Sequence, residues 1–312
     1  MNVVAILQRL PALVNENIAD YREACKSCPI VVDSIIDKCL GGIMRLTGVE
    51  VDRQPWVAVE IGAGASPLAP VDKFFADIEG YLAAARGRRA TDVATYTPAI
   101  PVPRGAKVLC AGLNYADHVS ESRRALPERP DIFARWQSTL VPNGINVPLP
   151  TNEPGLDWEG ELAAVVGRPL RNATPQEVED AILGYTILND LSARLHQRAT
   201  SQWCVGKNAD RSAPFGPAIV TRDEIPDPYK LRLQTRVDGV VMQSVVLGEM
   251  IFRVGQIGAY ASETMTLSPG DVISTGTPSG VGGARNPPVF LTSGQRVEVE
   301  IERIGILSTP IG

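Results

Sequence analysis

The sequence predicts an α+β protein, with a smaller N-terminal domain over residues 1–100 and a larger domain over 101–312. Three observations carry this reading. Helical periodicity concentrates near the N-terminus, strand-like segments dominate beyond residue 100, and those strands do not alternate regularly with helices as a doubly wound sheet would require.

Taken in order, Val3, Leu7, Leu10 and Val14 recur at three- and four-residue spacing, and Val32, Ile35, Ile36 and Leu40 do the same. Residues 1–48 therefore read as a largely helical extension, with Pro29 separating the two helices or opening the second. From Trp56 the texture changes to a VAVEI strand, then a Gly/Pro-rich turn at 62–70 and another helical stretch at 71–86. PAIPVPRGAK, at 98–107, reads as a linker and places the domain boundary. Beyond it KVLCAGL, ELAAVV, GPAIVT, LRLQTRVDG, DVISTG and RVEVEIERIG are strand candidates between Gly/Pro turns. Helices are expected at 174–183, where Thr174 is followed three residues on by Glu177, and at about 253–267.

Hydrophobic content of 44% and charged content of 21% exclude a disordered or fibrous chain. A net charge of −5 gives no reason to expect nucleic acid or an anionic membrane as partner. No apolar run approaches membrane-spanning length, and MNVVAILQRL has no basic leader before its apolar stretch, so a soluble cytoplasmic protein is expected. Cys25, Cys28, Cys39, Cys110 and Cys204 are odd in number and sparse, which reads as reduced thiols. The CKSC of Cys25 and Cys28 imitates a redox or zinc half-site, with Cys39 as the only other candidate ligand close in sequence; exposed or helix-packed thiols are the plainer reading.

The segment LDWEGELAAVVGR, 156–168, carries the most informative chemistry. Residues i and i+2 of a strand share a face, so Asp157, Glu159 and Glu161 should line up. Carboxylates held that close repel, and one takes up a proton unless a cation sits between them. Asp190 ends a second apolar segment, ILND. Three carboxylates converging from two strands form a hard-oxygen site suited to Mg²⁺ or Mn²⁺, with Ca²⁺ as a third option. Alone, the E-x-E pattern more often marks a solvated strand face with one ion pair.

Two further clusters follow. If Tyr115–Glu121 is a turn of helix, His118 and Glu121 fall at i and i+3, and the carboxylate can fix the imidazole tautomer while the other nitrogen takes a proton. A surface His–Glu pair is the bland alternative. Arg194 and Gln197 come four and seven residues after Asp190, a helical spacing that predicts one stripe, and Lys207 lies a short turn further. A guanidinium, an amide and an ammonium beside a metal suit a carboxylate and a developing oxyanion. His196 falls off that stripe. STGTPSGVGG, 274–283, lacks the ending of a phosphate-binding loop; it presents the Thr277 hydroxyl and nearby amides to a ligand, or is a purely structural turn.

In this order, GLNYADHVSE, DWEGELAAVVG, GYTILNDLSAR, GKNADRSAPFGP, LSPGDVISTGTPSGVG and the closing strand resemble the successive signature blocks of the fumarylacetoacetate hydrolase (FAH) family. The resemblance covers residues 104–310 or so and implies an FAH-type mixed β-sheet/β-roll catalytic domain, usually a homodimer. It implies Glu159, Glu161 and Asp190 as ligands of Mg²⁺, Mn²⁺ or Ca²⁺. His118 and Glu121 match the pair that handles the nucleophilic water in hydrolytic members, while Lys207, Arg194, Gln197 and Thr277 match oxyanion and substrate contacts. Two departures stand out: Arg135 occupies the place of a common lysine, which puts the substrate-carboxylate contact there in doubt, and the apolar Leu195 replaces an Asp after the SAR triplet.

The function expected first is metal-dependent hydrolysis of a carbon–carbon bond in an acylpyruvate-type 2-oxo acid or β-diketone. Decarboxylation or isomerisation of oxaloacetate-like or unsaturated 2-oxo diacids is the alternative, and a catalytically silent binding protein on this fold is the third reading. Small-molecule 2-oxo acids or diketones are the partners expected in all cases of activity.

Overall fold

Seven successive buried residues, Gly160–Val166, make the strand around which the remaining elements are arranged. Its side chains divide with period two: Leu162, Ala164 and Val166 enter one hydrophobic core, Ala163 and Val165 another on the opposite face. The computed structural model describes residues 44–86, 88, 96–121 and 125–312, and the CKSC pair, Cys39 and the N-terminal helices expected before residue 44 lie outside the described residues.

The chain enters on three antiparallel strands, β1 (Arg45–Val51), β2 (Gln54–Ile61) and β3 (Gly64–Pro70). The 71–86 stretch forms α1 (Val71–Ala76) and α2 (Ile78–Arg86), which break at Asp77. Next come β4 (Pro98–Ala99), β5 (Lys107–Gly112), α3 (Ala116–Glu121), β6 (Asp131–Trp136) and β7 (Leu140–Pro142). The short β8 (Leu156–Asp157) precedes β9 (Gly160–Val166), then α4 (Pro175–Ala181) and β10 (Ile182–Asn189). They are followed by β11 (Ser192–Ala193), α5 (Arg194–Ala199), α6 (Cys204–Lys207) and β12 (Ala213–Thr221). The chain finishes with β13 (Arg232–Val237), β14 (Val240–Val246), α7 (Val254–Ser262), β15 (Val272–Ser274), β16 (Arg296–Ile301) and β17 (Gly305–Pro310).

The main sheet runs β3-β2-β1-β12-β10-β9-β15-β5-β6, with β4 added on β1 and β7 on β12. A four-stranded sheet, β14-β13-β16-β17, contributes Leu233, Val299, Ile301 and Leu307 to the core that also holds Leu162 and Ile187 of the main sheet and Val254 and Ile257 of α7. The α+β class thus stands, built from a large mixed sheet with few helices.

Two expectations meet the strands differently. Residues 45–48 are strand rather than the end of a helical extension, because β1 pairs with both β2 and β12. Gly48 is required there: a Cβ would lie 2.0 Å from the Ala99 carbonyl oxygen of β4. The boundary expected near residue 100 falls inside one compact unit, Met44–Gly312, since β1–β3 share the sheet of β12. The helix at 174–183 does start with the expected capping box, Thr174 accepting from the Glu177 amide and Glu177 from the Thr174 amide.

Leu162 of β9 is fully buried between the two sheets. Leu162→Ala should cost about 2–5 kcal/mol of stability, read as a lower denaturant midpoint at an unchanged m-value.

Candidate functional site

β9 and β10 run antiparallel, with Leu188 opposite Glu161 and Asn189 opposite Gly160, so the start of one strand and the end of the other meet. That register brings Glu161 and Asp190 to the same place. Glu159 precedes the strand, yet it is held by β10: its amide donates to Asn189 Oδ1 at 3.1 Å and its carbonyl accepts from the Asp190 amide at 2.8 Å. One carboxylate oxygen from each of Glu159, Glu161 and Asp190 lies within 4.8 Å of the others, and all three side chains are buried.

The expected single face of Asp157, Glu159 and Glu161 is not a continuous strand, because pairing breaks at Trp158–Glu159 and β8 pairs with β11 instead. Asp157 consequently stands apart. It accepts from the amides of Gly282 (2.7 Å) and Gly283 (2.8 Å) and from Arg194 Nε (2.7 Å). The stripe expected for Asp190, Arg194 and Gln197 is also interrupted: Asp190 follows the last residue of β10, β11 intervenes, and only Arg194 and Gln197 share α5.

Cations compensate two of the three carboxylates. Lys207 Nζ donates to Glu159 Oε2 at 2.6 Å and to Asp190 Oδ2. Arg194 Nη1 adds a 2.6 Å ion pair with Glu159 Oε1 and a hydrogen bond to Gln197 Oε1 at 2.8 Å. Burial opposes charge on Glu159, but the Lys207 and Arg194 cations outweigh it and hold the carboxyl well below its ordinary range. Burial likewise penalises the Lys207 ammonium, and the Asp190 and Glu159 charges more than restore it. Glu161 receives neutral donors, Ser274 Oγ and the Gly276 amide at 3.0 Å. Burial, then the charges of Asp190 and Glu159, push its carboxyl well above the ordinary range. Gly276 is at φ +87°, and a Cβ there would lie 2.5 Å from the Ala111 carbonyl oxygen.

Arg135 is fully buried behind Asp190, donating to Asp190 Oδ1, Ser212 Oγ and the Leu191 carbonyl. It does not line the cavity, so the substrate contact expected of it is corrected: Nη1 orients the Asp190 carboxylate and Nη2 donates to a serine hydroxyl.

The cavity has a volume of about 550 Å³ and is lined by Glu159, Glu161, Lys207, Arg194, Gln197 and Thr277, with His118 and Glu121. His118 Nδ1 lies 3.3 Å from Glu121 Oε2, and the Gly280 amide donates to both Glu121 oxygens at 3.1 and 3.3 Å. The Thr277 hydroxyl proton is committed to the Gly160 carbonyl at 3.1 Å, and its oxygen accepts from Gln243 Nε2 at 2.8 Å. Arg194 Nη2, by contrast, is buried without a partner among the described residues. α6 reaches this position through Gly206, where a Cβ would lie 2.4 Å from the Gln197 amide nitrogen. Sequence reasoning missed Glu153, Asp157 as the anchor of Arg194, and the aromatic wall of Phe133 and Trp203, whose rings meet edge to face at 5.4 Å. Glu153 accepts from the Leu195 and His196 amides at the start of α5 and from His196 Nδ1 at 2.9 Å.

The donor set fits a divalent cation. It offers three hard anionic oxygens, and Glu161 carries the repulsion that Lys207 leaves uncompensated.

The sequence profile of the family described as fumarylacetoacetate (FAA) hydrolase C-terminal matches residues 107–312. The chain is 42% identical over 208 residues to the protein named oxaloacetate tautomerase Fahd2a, mitochondrial, of Rattus norvegicus. That match covers 66% of this chain and 66% of the rat protein, so the chain spans about two thirds of that relative. A putative HpcE protein from Mycobacterium smegmatis is similar with a TM-score of 0.76 and 31% identity, covering 86% of this chain and 99% of that one. A 2-hydroxyhepta-2,4-diene-1,7-dioate isomerase from Mycobacterium marinum gives 0.69 and 33%, covering 86% and 98%. Among the described residues no helix is long and apolar enough to cross a membrane. The rat protein is named as mitochondrial, so the cytoplasmic expectation gains no support from it.

Two outcomes are expected in calorimetric titrations with Mn²⁺. Because Glu161 holds its proton to higher pH than an ordinary carboxyl, ion uptake displaces that proton; affinity rises with pH and the heat depends on the buffer's ionisation enthalpy. Glu161→Gln should weaken binding by at least about tenfold and flatten the pH dependence.

Proposed function

The chain belongs to the fumarylacetoacetate hydrolase family, and from that premise we propose that it is a divalent-metal-dependent isomerase of small 2-oxo diacids, interconverting the keto and enol forms of an oxaloacetate-like acid. The observation that carries this reading is the presence of the His118–Glu121 pair in the cavity whose wall includes Glu159 and Glu161 of the carboxylate triad. The hydrolytic reading favoured by the sequence blocks yields to its alternative, because the relatives are named for tautomerisation and isomerisation. Both reactions relocate protons without adding water. A homodimer belongs to the same proposal.

An ion held by Glu159, Glu161 and Asp190 would polarise the 2-oxo group and acidify the neighbouring C–H. His118 takes the proton from that carbon and returns it to the keto oxygen, so the net change is one proton moved from carbon to oxygen. Glu121 fixes the imidazole through Nδ1, leaving Nε2 for the transfer, and the Gly280 amide keeps Glu121 in place. Arg194 Nη2, a buried donor without a partner among the described residues, meets a substrate carboxylate oxygen. Lys207 places positive charge beside the oxygen on which negative charge develops.

His118→Asn should lower kcat for enol–keto conversion of oxaloacetate by about 10²–10⁴-fold while Mn²⁺ binding is retained. In D₂O the wild-type protein should accelerate deuterium entry at C3 above the uncatalysed rate. Acylpyruvate cleavage in ¹⁸O-water that labels the acid fragment would restore the hydrolytic reading, and CO₂ release from oxaloacetate as the main product would point to decarboxylation.

A further inference from the structure

Three cationic side chains line the site cavity, and two of them are already engaged by carboxylates. Arg194 is bound to Asp157 and Glu159, and Lys207 to Glu159 and Asp190. The third is Arg198. Among the described residues no carboxylate lies within ion-pair distance of it; its hydrogen bond is from Nη2 to the Gly283 carbonyl at 3.2 Å. Gly283 lacks the Cβ that would sit 3.0 Å from that nitrogen, so the guanidinium rests against bare backbone with its other N–H groups uncommitted.

Charge bookkeeping gives this cation a meaning. The buried carboxylates of Asp157, Glu159, Glu161 and Asp190 and the carboxylate of Glu121 are matched by Arg135, Arg194, Lys207 and one divalent ion. Arg198 is left over, an exposed cation whose counter-charge a ligand can supply. Position supports the same conclusion. Arg198 follows Arg194 by four residues on α5, so the two heads are neighbours on one helical face, Arg194 inside and Arg198 one turn nearer the mouth. One helical turn rises about 5.4 Å, a gap that a chain of a few carbon atoms bridges.

We infer that Arg198 is the specificity-determining residue of this cavity, pairing with the second carboxylate of a 2-oxo diacid whose first carboxylate meets Arg194. The inference rests on the 2-oxo diacid reading above and deepens it. Arg198 also borders a neighbouring groove lined by Glu153, Pro154, Arg194, Leu195, His196 and Phe290, where the Glu153 carboxylate already occupies the His196 ring nitrogen.

The test uses the full-length Mn²⁺-loaded protein with Arg198→Gln and Arg198→Lys. Arg198→Gln should lower the ratio of kcat/KM for oxaloacetate to that for 2-oxobutanoate by about five- to tenfold, through KM, and Arg198→Lys should recover part of it. An unchanged ratio, or equal losses for both acids, overturns the inference. A second readout needs no turnover: calorimetric affinity for malate should fall by a similar factor in Arg198→Gln, with a smaller change for lactate. If the wild-type protein converts neither oxo acid yet Arg198→Gln weakens malate selectively, the proposed reaction fails and the carboxylate pairing stands. If it converts oxaloacetate and neither ratio moves, the reaction stands and the pairing fails.

Discussion

Three buried carboxylates share a space in which their oxygens lie within 4.8 Å of one another, and much of the surrounding architecture supplies what makes that tolerable. At an effective dielectric near 20, two like charges about 4 Å apart cost roughly 4 kcal/mol. Asp190 is relieved by Arg135 and Lys207, and Glu159 by Lys207 and Arg194. Glu161 has a serine hydroxyl and a glycine amide in place of a cation. The cluster is therefore asymmetric by construction: repulsion collects on Glu161, and a divalent ion would relieve it there.

The sheet explains why these groups meet at all. β9 is central, antiparallel to both β10 and β15, and each neighbour delivers one part of the site at its end. β10 ends in Asn189 and leads to Asp190, which together hold the Glu159 backbone; β15 ends in Ser274 and leads to Gly276, both donors to Glu161. Because these strands are buried on both faces, a slip in register would expose core residues and dismantle the cluster together.

Much of this was legible in the sequence. The family resemblance drawn from ordered blocks is borne out by the match over residues 107–312, and the α+β class by the mixed sheet. The local spacing of Glu159 and Glu161 pointed to a shared site, and the helical spacing of His118 and Glu121 to a pair, as the geometry has it. What failed did so for identifiable reasons. Period-two reasoning places Asp157 on one strand face with Glu159 and Glu161, but the strand breaks at Trp158–Glu159 and the residue anchors Arg194 instead. Arg135 sat in a strand beside a candidate block, and only tertiary packing reveals that it faces Asp190 from behind. Glu153 lies in a loop with no periodic signal, and its partners are backbone amides some forty residues away.

Helix α5 is a single short turn and a half with an anchored first residue and exposed positions after it. Arg194 is locked by Asp157 and Glu159, and Glu153 fastens the following amides, whereas Leu195, His196 and Arg198 reach outward. In evolutionary terms the helix separates inheritance from experiment. Changes at its outer positions leave the three clustered carboxylates and their cationic partners untouched, so under the proposed function a duplicated copy of this chain could drift toward a differently sized or differently charged acid while keeping its proton chemistry. The anchored inner residue makes that drift affordable, because selection can tune what enters without having to rebuild what reacts.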